Sequence, residues 1–67
     1  MKIDGRELSE EDYLSPVTYV PSHADGNAGH PDCEQGVIIR WGEGVVHVLY
    51  CTSRTVQATA PYDLVWG

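Results

Sequence analysis

Gln35-Gly36-Val37-Ile38-Ile39-Arg40-Trp41, then Gly42-Glu43-Gly44, then Val45-Val46-His47-Val48-Leu49-Tyr50-Cys51 is the stretch that decides the fold. Two β-branched and aromatic runs flank a glycine-rich break, and glycine supplies the positive φ that tight hairpin turns need. The stretch therefore reads as a β-hairpin. Because side chains alternate between faces, a one-residue slip exchanges inside for outside, so polarity selects the register. With Trp41 opposite Gly44, Ile39 meets Val46, Val37 meets Val48 and Gln35 meets Tyr50. One face then holds Val37, Ile39, Trp41, Val46, Val48 and Tyr50. The other holds Ile38, Arg40, Val45, His47, Leu49 and Cys51. With Trp41 opposite Val45, both faces mix apolar residues with Arg40 or His47. The first register is expected, with a bulge at Gly44 absorbing a slightly longer turn.

Outward from the hairpin, Thr52-Ser53-Arg54 makes a turn. Thr55-Val56-Gln57-Ala58-Thr59 alternates as a strand, with Val56 and Ala58 expected to face inward. Ala60-Pro61-Tyr62-Asp63-Leu64 suits a 3₁₀ turn, since proline is tolerated at its start, and Val65-Trp66 forms a last short strand. Before the hairpin, Val17-Thr18-Tyr19-Val20 reads as the first strand, closed by Pro21. Between them, Ser22 to Asp32 consists almost wholly of turn formers. Loops of this length are uncommon in compact domains and often carry function.

The chain has 67 residues, enough for one domain. A domain this small buries only about 60% of the surface its unfolded chain exposes, so its core is marginal. Ten Asp and Glu against four Lys and Arg give a net charge of −6. That balance argues against a nucleic-acid binder, which needs clustered bases. Residues 1–12 hold five of the acids against Lys2 and Arg6, which is half of the net charge. Ser9-Glu10-Glu11-Asp12 looks like an N-cap followed by an acidic first turn, and carboxylates favour that end of a helix. A short helix from about Glu10 to Leu14 is expected, stopped by Pro16 and packed through Leu8, Tyr13 and Leu14. Residues 1–16 thus read as an acidic arm, and 17–67 as the main β unit. No apolar run approaches the ~18 residues of a membrane span. The first residues lack the apolar segment of an export signal. A cytoplasmic location follows as the expectation, with Cys33 and Cys51 as free thiols.

Five short strands, a long first loop, a tight central hairpin and a 3₁₀ turn before the last strand resemble SH3-like small barrels, the group of SH3, Tudor and KOW-type domains. The expected fold class is therefore mainly β: one small five-stranded SH3-like barrel with a short N-terminal helix. Such folds host unrelated roles. A second resemblance lies in Val17-Thr18-Tyr19-Val20-Pro21, the His23-to-His30 loop, His30-Pro31-Asp32-Cys33-Glu34-Gln35-Gly36-Val37, and Ala58-Thr59-Ala60-Pro61-Tyr62-Asp63-Leu64-Val65-Trp66. These strings resemble small uncharacterised proteins of bacteriophages and prophages. The resemblance implies an accessory protein made inside a bacterial cell, and it implies no activity. The acidic arm lies outside it.

Four sets of residues could carry function. His23, His30, Cys33 and Cys51 could form a tetrahedral zinc site of two imidazoles and two thiolates, although no C-x₂-C or H-x₃₋₅-H pair fixes its geometry. The plain alternative is a loop braced by hydrogen bonds, with no cofactor. Cys33, His30 and Asp32 could imitate a catalytic set, but sequence neighbours rarely provide that geometry and a small barrel offers little concavity. A non-enzyme is expected. Aromatic recognition would use Tyr62 and Trp66, since Tyr19, Trp41 and Tyr50 fall on the expected inner face. The acidic cluster Glu7, Glu10, Glu11 and Asp12 could steer a basic protein, such as a host or defence factor. The expected function is a protein-binding module with a protein partner, and with neither nucleic acid nor membrane as its target.

Overall fold

The computed structural model describes all residues, Met1–Gly67. Seven strands form two sheets. β1 (Lys2–Ile3) and β2 (Arg6–Glu7) make a small hairpin. β3 (Pro16–Tyr19), β4 (Glu34–Gly42), β5 (Val45–Tyr50) and β6 (Val56–Thr59) follow as an antiparallel meander. β7 (Leu64–Trp66) returns beside β3, giving the order β6-β5-β4-β3-β7. The sheet of the expected five-stranded barrel does not close: β6 and β7 are the two edges of an open five-stranded sheet. A 3₁₀ turn, Pro61–Asp63, precedes the last strand as the sequence suggests. No helix is long and apolar enough to cross a membrane.

The expected N-terminal helix is a single 3₁₀ turn, Glu10–Asp12. The reason lies in the backbone hydrogen bonds. Leu14 donates its N–H to Ile38 O at 2.7 Å, and Ile38 donates back to Ser15 O at 3.1 Å. An α-helix would need the Leu14 N–H for Glu10. Pairing with β4 takes that donor, and the chain is drawn into the sheet after one turn. Of the three side chains expected to pack here, Leu8 is buried, while Tyr13 and Leu14 are 59% and 52% exposed.

The arm nevertheless enters the core. Ile3 and Leu8 share one cluster with Val17, Ile38, Val46, Val48, Tyr50 and Leu64. Trp66 donates its indole N–H to Ile3 O at 2.7 Å, and the Arg6 guanidinium carbon lies 3.7 Å from the centre of the Trp66 ring. Arg6 also pairs with the buried Asp12 at 3.1 Å. The β1–β2 hairpin thus lids the apolar face of an open sheet. A sheet with one uncovered apolar face would leave that face in water.

The hairpin register differs from expectation. Gly36, Val37 and Ile38 face Tyr50, Leu49 and Val48; Arg40, Trp41 and Gly42 face His47, Val46 and Val45. The first half follows the alternative that places Trp41 opposite Val45, and the second is displaced by one more residue. The irregularity falls between Ile38 and Arg40, not at Gly44. Its cause is the polarity of β4 itself. Strict alternation from buried Ile38 would carry Arg40 inward. The extra residue, Ile39, returns Arg40 to solvent and sets Trp41 against the core. The turn needs no bulge, because Glu43 and Gly44 both have positive φ, at 54° and 84°, as a two-residue hairpin turn requires.

The face of β6 is also reversed. Val46 pairs with Thr59 and Val48 with Gln57, so Thr59 and Gln57 share the inner side. Val56 sits opposite Leu49 on the outer side, where both remain exposed, and Ala58 is exposed there as well. Thr59 is accommodated inside because its hydroxyl meets the Tyr50 hydroxyl at 2.7 Å.

Asp12 supplies a pH dependence. The Ser9 backbone N–H and then the Arg6 guanidinium hold its carboxyl below the usual range, against burial, which pushes the other way. A depressed carboxylate contributes stability above its ordinary pKa of about 3.9 and loses it as pH falls through the lower folded value. Asp12→Asn is therefore expected to melt lower than the parent at neutral pH. The gap should narrow as pH falls below about 4, as read by circular dichroism melts across pH.

Candidate functional site

A cavity of about 330 Å³ opens where β3, β4, β5 and β6 meet the 3₁₀ turn before β7. Tyr19, Tyr50, Glu34 and Asp63 are among its lining residues, with Gln57 to Ala60 along one rim. The rings of Tyr19 and Tyr50 meet edge to face, with centroids 6.3 Å apart and planes at 78°. That is a favoured aromatic geometry, and it presents part of a π surface to the opening. Each residue arrives for a structural reason. Tyr19 ends β3 directly opposite Glu34, the first residue of β4. Tyr50 ends β5 and is fixed by Thr59. Asp63 closes the 3₁₀ turn, where its backbone carbonyl accepts from Val20 N–H at 2.8 Å.

The charges converge without a counterion. Glu34 accepts the Ser53 backbone N–H at 2.7 Å through one carboxylate oxygen. The Asp63 carboxylate accepts no hydrogen bond from the chain and joins no ion pair, and no Lys or Arg lines the cavity. Burial pushes the Tyr50 hydroxyl above its usual pKa, and Tyr19, Glu34 and Asp63 add to that rise against the Thr59 hydrogen bond. The site is therefore a negative, tyrosine-walled recess that favours a cation.

Asp63 also borders a second depression, lined by Val20, Pro21, Ser22, Gly26, Tyr62 and Val65. Tyr62 stands there 87% exposed. Trp66 is committed otherwise: its indole N–H bonds the Ile3 carbonyl and its ring carries Arg6. In the arm, Glu7 pairs with the Met1 amino group and Asp12 with Arg6. Within the cluster Glu7, Glu10, Glu11 and Asp12, Glu10 and Glu11 are left unpaired. Asp12 holds the turn, so substituting it together with Glu10 and Glu11 would confuse folding with binding.

In the long loop, the structure brings together His23, His30 and Asp32, whose candidate ligand atoms all lie within 4.8 Å of one another. His23 Nε2 meets Asp32 Oδ2 at 2.7 Å, and Asp32 N–H donates to His30 Nδ1 at 3.0 Å. Cys33 is turned toward Asn27 O, 3.3 Å from its sulfur, and Cys51 is exposed; both thiols are free. Neither cysteine belongs to the histidine group. Reading Tyr19 and Tyr50 as core residues accounts for their packing but misses the carboxylates beside them. The signal available in the sequence is that Glu34 opens one strand and Asp63 immediately precedes another, so both carboxylates lie at the same end of the sheet as Tyr19 and Tyr50.

Comparison with family models, curated proteins and solved structures finds no match to this chain.

Proposed function

We propose that the protein is a non-enzymatic protein-binding domain whose tyrosine recess receives a basic side chain of a partner protein. The observation that carries this reading is the pair Glu34 and Asp63 beside the crossed rings of Tyr19 and Tyr50, with no basic residue of the chain to neutralise them. A guanidinium or ammonium entering the recess gains both a carboxylate partner and an aromatic face. The net charge of −6 adds long-range attraction for a basic partner. An SH3-like architecture for the five-stranded sheet is part of the proposal. It is supported by the meander β3-β4-β5-β6 with the last strand returning beside the first. A phage or prophage accessory role in a bacterial cytoplasm, with a basic host or defence protein as the partner, completes it. That part rests on the sequence resemblance and on the acidity.

The test is fluorescence anisotropy of a labelled peptide of alternating Arg and Ser. Binding should weaken with added salt. In Glu34→Gln/Asp63→Asn it should weaken by roughly tenfold or more, equivalent to about 1.4 kcal/mol. Glutamine at position 34 keeps an acceptor for the Ser53 N–H, so the fold is retained. Glu10→Gln/Glu11→Gln should bind nearly as the parent does. Loss in the arm variant with retention in the recess variant would move the site to the arm.

A further inference from the structure

We propose that His23, His30 and Asp32 form a binding site for a divalent transition ion of the zinc class, with one coordination position left open. Two imidazoles and a carboxylate are a donor set of borderline softness, suited to zinc and poorly suited to magnesium or calcium, which prefer oxygen alone. The three ligand atoms already lie within 4.8 Å of one another. A zinc ion bonded at about 2.0–2.2 Å holds its ligands roughly 3.4 Å apart. The His23–Asp32 contact of 2.7 Å must therefore open slightly and the widest separation must close, which the side chains of a loop can do.

The loop is built to hold this set without the ion. The rings of His23 and His30 meet edge to face at 5.4 Å. A 3₁₀ turn, Ser22–Ala24, fixes His23 at one end of the loop. At the other end, Cys33 donates its backbone N–H to His30 O at 2.9 Å, closing a turn around Asp32. Metal binding would exchange the His23–Asp32 hydrogen bond for three coordination bonds. His23 and Asp32 are both more than half exposed, so an ion has a direct path in and the fourth position faces water or a partner's donor group.

The test is calorimetric titration of Zn²⁺ into the intact, chelator-treated protein, with Mg²⁺ as the control ion. One equivalent of zinc should bind and magnesium should not compete. His23→Ala and Asp32→Asn should each weaken zinc by more than about tenfold, since even outer-shell partners of a metal are worth 10–100-fold. Cys33→Ser/Cys51→Ser should leave affinity unchanged. Circular dichroism of each variant confirms folding, which these exposed positions do not threaten. No saturable zinc binding, or binding kept by His23→Ala and lost by Cys33→Ser/Cys51→Ser, overturns the assignment; in the first case the three side chains are a hydrogen-bonded brace. The recess that binds basic peptide uses none of these residues, so failure here leaves that reading standing.

Discussion

Gly36→Ala is expected to be among the most destabilising single substitutions in the protein, lowering its melting temperature strongly. Gly36 lies on the inner face of β4, between Val17 of β3 and Tyr50 of β5. A Cβ there would stand 2.6 Å from Leu49 O, 2.6 Å from Val48 Cγ1 and 3.1 Å from Tyr50 Cα. Two of those three atoms are backbone, so no rotamer change can make room. Overfilling a packed core costs about 1–3 kcal/mol even where side chains can adjust. For 67 residues the whole stability is roughly 3–10 kcal/mol. The variant should melt lower by about 4–8 °C for each kcal/mol lost. Gly29→Ala is the matched control. Its added Cβ meets only the end of the Asn27 side chain, at 3.3 Å, so its effect should stay within about 0.5 kcal/mol. Melting temperatures of the two variants that differ little from the parent would show that β4 and β5 are not held this closely.

Ile3→Ala should be comparably severe. Ile3 is the part of the β1–β2 hairpin most deeply set into the core, with no exposed surface. Removing a buried isoleucine to alanine costs about 2–5 kcal/mol, depending on how far the cavity collapses. Collapse is restricted here, because the Ile3 carbonyl is tied to Trp66 and the neighbouring turn is tied through Arg6 to Asp12. Chemical denaturation should show the loss at the midpoint. Tyr13→Ala, in the same arm but 59% exposed, should shift the midpoint little. Equal effects of the two substitutions would mean that the arm is an appendage and not a lid.

These two residues mark the boundary of what the sequence makes legible. The central hairpin, the inward run Val46, Val48 and Tyr50, and the 3₁₀ turn after β6 follow from local pattern alone. Register along β4 does not, because β4 carries apolar residues on both faces, and alternation then fits more than one pairing. The conflict is resolved by where Arg40 can reach water, which depends on neighbours distant in sequence. The face of β6 is misjudged for a related reason. Val56 and Ala58 are the more apolar pair, yet Thr59 turns inward because Tyr50 offers its hydroxyl a partner. The arm held a readable sign. Asp4-Gly5 is a favoured two-residue hairpin turn, and both residues have positive φ. With only two residues in each flanking strand, it gives no alternation to read, and the acidic helix signal at Ser9 to Asp12 dominates.

Among the functional residues, spacing alone gathers His23 and His30 with the cysteines, whose thiols are soft metal ligands. Side-chain direction decides otherwise. Cys33 points to Asn27, and Asp32, one residue earlier, turns to His23. The recess is less legible still, since Tyr19, Glu34, Tyr50 and Asp63 come from four separate elements. An acidic composition could indicate only the sign of a partner's charge, not the place it binds.

The decisive measurement is an NMR titration of the labelled protein with the alternating Arg and Ser peptide, following backbone amides and the tyrosine rings. Shifts concentrated at Tyr19, Glu34, Tyr50, Asp63 and the β6 rim, saturating together and absent with a peptide in which every Arg is replaced by citrulline, are the expected result. Shifts confined to Glu10 and Glu11, or none that saturate, would contradict a cation-binding recess.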